Sequence, residues 1–241
     1  MEVVNNLLNY KGLKIVQDTD SFKFSLDSVL LANFVKLNKE SNKVIDLCTG
    51  NIPIPLILSK KKNMEIYGVE IQESIFNLAK KTIKINNIDN IKLINDDIKN
   101  LGKYFETDTF DIVTCNPPFF KYSESSNVSK NSSKSLARHE IETDLFQICR
   151  VSRKILKNNG YLYIVQRTER LIDVLECMRK SNIEPKILQF VYPKVNKDSN
   201  IVLIAGSKNG KSELRLLKSL IVHNKNGEYK KEIIKIFGER S

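Results

Sequence analysis

The chain has no apolar run approaching the roughly 20 residues that cross a bilayer, and its opening, MEVVNNLLNYKG, lacks both a basic start and a long apolar stretch. Nothing here directs export or membrane insertion, so a cytoplasmic location is expected. Cysteine and histidine are scarce. Cys48, Cys115, Cys149 and Cys177 form no C-x-x-C pair, and only His139 and His223 could join them. That excludes the usual structural zinc patterns, and no metal is expected. Cys48 and Cys115 sit in apolar, strand-like runs, where a free thiol acts as a small core residue suited to a reducing compartment. Internal repeats are missing too. What remains, 41% hydrophobic and 28% charged in 241 residues, is too apolar for disorder and long enough to bury the core of one large domain.

The net charge of +11 is unevenly placed. Residues 1–120 hold 15 basic and 15 acidic side chains, whereas residues 121–241 hold 24 and 13. A genome-wide bias toward lysine would act on both halves alike. The asymmetry therefore favours a polyanionic partner held by the second half.

From Lys43 onward, short β-branched runs alternate with helical patterns, which marks a parallel α/β sheet. The strand candidates are Lys43 to Leu47, Glu65 to Val69, Ile91 to Ile94, Phe110 to Cys115 and Tyr161 to Gln166. Helices are expected over Ser74 to Asn86 and over Asp144 to Lys157, the latter acidic at its start and basic at its end, as the helix dipole prefers. Lys186 to Tyr192 and Asn200 to Ala205 are too close together for a helix between them and read as an antiparallel pair at the sheet edge. The tail adds a strand over Leu214 to Val222, an Asn226-Gly227 turn and a last helix. Tyr122 to Ser135, mostly Ser, Asn and Lys, reads as a mobile loop.

Acids close three successive strands. Asp46 ends the first, before a turn containing Gly50 and Asn51, and in open parallel sheets ligands bind beyond such strand ends. Cys48 and Ile52 occupy positions where nucleotide-binding loops commonly carry glycine, so this turn alone also fits an ordinary strand-to-helix connection. Glu70 ends the second strand and is placed to accept both hydrogen bonds of a ribose diol. Asp97 follows the third and is placed to accept from an adenine amino group. Together they describe a cofactor with an amine, a ribose and an adenine, S-adenosylmethionine rather than a dinucleotide.

The most specific segment is Asn116-Pro117-Pro118-Phe119, followed by Phe120, at the end of the fourth strand. The nitrogen of an aromatic amine is a poor nucleophile because its lone pair is delocalised into the ring. Two acceptors aimed at its N–H bonds, the Asn116 side-chain oxygen and the Pro117 carbonyl, draw that lone pair back toward nitrogen. The prolines fix the turn so that both acceptors converge, and Phe119 is placed to stack on the base.

These residues, with Phe22-Lys-Phe24-Ser-Leu-Asp27-Ser-Val-Leu30-Leu31-Ala32 and Ala137-Arg138-His139-Glu140, resemble class I S-adenosylmethionine-dependent methyltransferases carrying an Asn-Pro-Pro-aromatic motif. More narrowly, the chain is similar to the bacterial valine-tRNA adenine N6-methyltransferases, which modify the adenine beside the anticodon; the ending, Leu220-Ile-Val-His-Asn then Gly227-Glu-Tyr229, is also similar. The resemblance implies a Rossmann-like domain with a mostly parallel seven-stranded sheet, an antiparallel edge strand and helices on both faces. It divides one methyltransferase domain, 1–241, into a cofactor-covering segment (1–42), a core (43–206), a mobile substrate loop (121–136) and a basic C-terminal strand and helix (207–241). It implies that Phe24, Asp27, Asp46, Gly50, Asn51, Glu70, Asp97 and Asn116 hold the cofactor. Asn116 to Phe119 would hold the target base, and Phe119, Phe120, Lys121, Arg138 and His139 would face a tRNA bound by a monomer. The alternatives are a release-factor glutamine methyltransferase, another rRNA or DNA amino methyltransferase, and an RNA-binding module with a degenerate cofactor site.

Overall fold

The computed structural model describes residues 1–7, 12–18, 26–37, 42–61, 63–117 and 145–237. A hairpin of β1 (Glu2–Asn6) and β2 (Lys14–Asp18) opens the chain and leads to helix α1 (Leu26–Phe34). There follow β3 (Lys43–Leu47), α2 (Pro53–Leu58), β4 (Glu65–Val69), α3 (Glu73–Ile85), β5 (Ile91–Ile94) and β6 (Phe110–Cys115). Helix α4 covers residues 145–155. After it come β7 (Leu156–Arg167), α5 (Leu171–Lys180), β8 (Ile183–Tyr192), β9 (Ile201–Lys208), the short strands β10 (Arg215–Leu216) and β11 (Leu220–Ile221), and α6 (Lys231–Ile236).

One sheet orders its strands β10-β8-β9-β7-β6-β3-β4-β5, with β11 also on β8. Strands β3 to β7 run parallel, whereas β9 is antiparallel to both neighbours, β7 and β8. The expected antiparallel pair is present at that edge, with β9 lying one place inside it. The seven long strands match the expected count. The added strands β10 and β11 make this a nine-stranded sheet.

The period-2 pattern of the strands sends alternate residues to opposite faces. Val44 packs in one apolar cluster with α1, α2 and α6, and Ile45 and Leu47 pack in a second with α4 and α5. Helices therefore cover both faces. Crossovers between parallel strands leave the carboxyl ends of β3, β4, β5, β6 and β7 along one rim, and β8, parallel to β7 through β9, ends there too. Among the described residues no helix is long and apolar enough to cross a membrane.

Two expectations are corrected. The tail does not form one strand over Leu214 to Val222. Between the Leu216–Leu188 and Leu220–Val191 pairs, four steps along the tail cover three along β8, and the extra residue breaks the ladder as a bulge does. The helix expected as far as Lys157 ends at residue 155, and β7 begins at Leu156, before Gly160.

Candidate active site

The turn after β3 sets the rim. Cys48, Gly50 and Ile52 all have positive φ, at 54°, 58° and 64°, so the chain keeps an alternating left-handed shape that glycine adopts most readily while keeping glycine only in the middle. At Gly50 a Cβ would stand in open space, with nothing within 4 Å, which leaves this backbone free to approach a ligand. Thr49 needs the opposite accommodation: it packs over Gly68 of β4, where an added Cβ would lie 3.0 Å from its methyl group.

Ile52 answers for its strained backbone by burial. It is fully buried in the apolar cluster beneath α2, and Pro53 starts the helix at the position where a missing N–H costs nothing. A left-handed L-residue costs ~1–2 kcal/mol, whereas cutting a buried isoleucine back to alanine costs ~2–5 kcal/mol. Ile52→Gly is therefore expected to destabilise the protein by on the order of 2 kcal/mol, despite restoring the more usual residue. Urea denaturation checks this, and a variant more stable than the parent would refute it.

Asp46 braces the turn from below. It is 1% exposed; one carboxylate oxygen accepts from the Thr49 hydroxyl at 2.6 Å and the other from Thr114 of β6 at 2.5 Å. Loss of water around it pushes its pKa up to about 7, against the pull of the two hydroxyls and with a small push from Glu70. Asp46, expected at the cofactor, is buried and ties the turn to β6 through these two hydroxyls.

Glu70 ends β4 and reaches across to that turn. Its two oxygens accept from the backbone N–H groups of Gly50 and Gln72, each at 2.9 Å. These bonds fix the carboxylate beside Gly50 with lone pairs left for a diol. Asn95 donates to the Glu70 carbonyl at 2.8 Å, tying the end of β5 to the end of β4. Asp97 caps a 3₁₀ helix, Ile98–Lys103, accepting from the Lys99 N–H at 2.9 Å. Its neighbour Asp96 is consumed locally by Asn100 and Tyr104, which hold its carboxyl below the usual range. Asn51 turns its amide N–H₂ to the Val16 carbonyl of β2 at 3.2 Å, so it anchors the hairpin to the turn.

Asn116 stands at the end of β6, between β3 and β7. Its amide nitrogen donates to the Ser28 hydroxyl of α1 at 2.8 Å, and its oxygen Oδ1 is buried without a hydrogen-bond partner among the described residues. A buried acceptor left unmatched is uncommon and costs on the order of 1–3 kcal/mol. Asp27, beside Ser28, is buried at the same helix start, and Pro117 is buried after Asn116. Phe24, Pro118, Phe119, Phe120, Lys121, Arg138, His139 and the 121–136 loop lie outside the described residues.

The structure thus brings Asp27, Gly50, Glu70 and Asn116 to one rim, with Asp97 on its flank and Asp46 and Asn51 behind it. Three contributors were not read from sequence: Ser28, Thr49 and Thr114. Ser28 follows an acid, Thr49 lies two residues after a strand end and Thr114 one position before another, and such spacing is too common to single them out. The open cradle at Gly50, the Glu70 carboxylate beside it and the unmatched Asn116 oxygen fit a nucleoside cofactor next to an amine acceptor. Among the described residues no group of three metal-ligating side chains occurs.

A family model described as a methyltransferase domain matches residues 38–229. A curated relative named tRNA1(Val) (adenine(37)-N6)-methyltransferase, from Cytophaga hutchinsonii, is 24% identical over 205 residues, covering 83% of this chain and 82% of its own length. A release factor glutamine methyltransferase from Aliivibrio fischeri is 30% identical over 136 residues, covering 52% of this chain and 46% of its own. Among solved structures, a predicted O-methyltransferase from Agrobacterium tumefaciens superposes with a TM-score of 0.70 at 14% identity, covering 89% of this chain and 97% of that one. Strand order, rim and family match agree: the chain belongs to the methyltransferase domain family, with S-adenosylmethionine as methyl donor.

Proposed function

We propose that this protein methylates the exocyclic N6 amine of an adenine in tRNA, the adenine beside the anticodon of valine tRNA. The observation that carries the reading is the unmatched Oδ1 of Asn116 at the end of β6. An acceptor held in place before substrate arrives costs no reorganisation during reaction. The cofactor supplies an electrophilic methyl group on a sulfonium. Glu70 receives the ribose hydroxyls and Asp97 the adenine amino group of that cofactor. Asn116 and the Pro117 carbonyl take the two N–H bonds of the target amine, raising electron density on its nitrogen. The rest of the rate comes from holding nitrogen and methyl in line, and the excess proton leaves to water after transfer, so no general base is assigned.

RNA as the substrate is supported by the match to the tRNA-modifying relative over 83% of this chain and 82% of that one and by charge at the rim. Lys194 and Lys197 follow β8, and Lys225 lies in the turn after β11; all three are exposed. Tyr229, stacked on His223 with ring centroids 4.8 Å apart, stands among them. Three inter-strand spacings of ~4.8 Å separate β8 from β6, so a nucleic acid on these lysines lies within reach of Asn116. The four cysteines are free thiols, in keeping with a reducing compartment such as the cytoplasm.

Incubation with labelled S-adenosylmethionine and unmodified tRNA, DNA or a release factor, followed by digestion, tests the reading. N6-methyladenosine from tRNA is the expected product. Label on a release-factor glutamine would favour the amide-methylating alternative, which the shorter match makes the second choice. No cofactor binding at all would favour a non-catalytic RNA-binding module.

A further inference from the structure

We propose that Tyr229 is a stacking platform for an unpaired base of the RNA, apart from the target adenine, with Lys194, Lys197 and Lys225 taking phosphates of the same strand. The inference rests on the RNA reading and deepens it by naming where the strand is gripped outside the reaction centre. Tyr229 is 39% exposed, and the hairpin that carries it fixes the ring without covering it.

The platform extends the sheet. Strand β11 runs parallel to β8 and so points to the rim that carries Asn116. Its ladder continues as the Val222 N–H donates to the Tyr192 carbonyl at 2.8 Å and the His223 N–H to the Pro193 carbonyl at 3.0 Å. The chain then reverses over 224–228. Asn224 clamps this turn: its side-chain oxygen accepts from the Glu228 N–H at 3.0 Å, and its amide nitrogen donates to the Glu228 carboxylate at 2.9 Å. Gly227 supplies the left-handed step, with φ of 89°. His223 and Tyr229 thereby become cross-strand partners, their rings stacked 4.8 Å apart and 25° from parallel. The buried ring of Phe237 meets Tyr229 at 87°, 5.0 Å away. A tyrosine pinned by two rings has little rotamer freedom left to lose when a third is added.

Charge and distance say what the third ring is. Lys194 and Lys197, in the loop after β8, and Lys225, in the turn, are exposed, and none forms an ion pair among the described residues. Cations beside an open aromatic ring suit a single strand, whose bases offer a π-face and whose backbone is anionic. A duplex would engage the lysines and leave the ring idle. From β11 across β8, β9 and β7 to β6 is four strand spacings, or ~19 Å, which is several nucleotides along a strand whose stacked bases repeat every ~3.4 Å. Tyr229 therefore touches no reacting atom. Its contribution is to hold the RNA, which is a KM effect.

The chain contains no tryptophan, so Tyr229→Trp places a single fluorescent reporter at the platform. Unmodified tRNA is expected to quench it, and duplex DNA, whose bases are paired, is not. Tyr229→Leu keeps bulk against Phe237 but has no π-face, and should raise KM for tRNA by about five- to hundredfold with kcat retained. Tyr229→Phe should stay within about twofold of wild type. Lys225→Ala should lower the slope of log affinity for tRNA against log salt by about one. Thermal melting checks that each variant is folded; if both Tyr229→Trp and Tyr229→Leu unfold, the salt slope of Lys225→Ala decides. Binding of tRNA without quenching, an unchanged KM in Tyr229→Leu, or a loss in kcat instead of KM overturns the platform, and an unmoved salt slope removes the lysine from it. If wild-type protein neither binds nor methylates tRNA, the RNA reading itself fails. An active wild type indifferent to position 229 defeats only the platform.

Discussion

Asn116→Ala is expected to lower kcat by roughly two to three orders of magnitude while leaving affinity for S-adenosylmethionine nearly unchanged, the size of effect seen when one preorganised hydrogen-bonding group is removed from a developing charge. The direction follows from what the side chain does and does not touch. Its nitrogen bonds Ser28, and its oxygen bonds nothing among the described residues. Gly50 and Glu70, the groups proposed for the cofactor, are joined to each other, and the turn that carries Gly50 is braced by Asp46 without Asn116. Truncation therefore removes an acceptor for the amine and leaves the cofactor cradle standing. Single-turnover kinetics with tRNA, paired with calorimetric titration of the cofactor, separates the two. Turnover within tenfold of wild type would remove Asn116 from the mechanism, and a matching collapse of cofactor affinity would reassign it to the cradle.

The second large effect concerns stability. Burial raises the Asp46 carboxyl from 3.8 to about 7, so at pH values between these limits the folded protein keeps a proton that the unfolded chain has released. Stability then declines as pH rises through that window and levels off above about 7. The full span corresponds to on the order of 4 kcal/mol, the burden of an ionised carboxylate beneath the turn. Asp46→Asn replaces the titrating group with a neutral one of the same shape. The Thr49 and Thr114 hydroxyls can rotate to meet it. Its stability should be nearly independent of pH over this window and should exceed that of wild type at pH 8. Urea midpoints at pH 5 and pH 8 for both proteins measure this. A wild type equally stable at both, or a variant with the same slope, would contradict it.

Much of the sheet was legible because parallel strands buried on both faces read as β-branched runs. The expected bounds of β3, β4, β5 and β6 coincide with those observed. The β1–β2 hairpin was not legible, since β1 is exposed apart from partly buried Val3 and its two adjacent valines carry no alternating signal. Its place is set from outside: Val16 donates to the Thr82 hydroxyl of α3 and accepts from Asn51. At the site, the acids at strand ends were readable as positions but not as roles. Asp46 and Glu70 look alike in sequence, and only the distance to two threonine hydroxyls separates a core brace from a rim carboxylate. Cys48 and Ile52 disguised the turn for a related reason. Its left-handed backbone is enforced by packing beneath α2, which no local residue pattern reports.

The bond between Ser28 and Asn116 also dates the site within folding. It joins residues 88 positions apart, and β6 is flanked by β3 from earlier in the chain and β7 from later. Closing so wide a loop incurs its entropy cost before the contact gives anything back. A chain with only its first βα units in place can have the β3 turn and Glu70 in register and still lack the Ser28–Asn116 bond. This link is thus a property of the finished sheet, formed only when helix α1 meets a strand from near the middle of the chain.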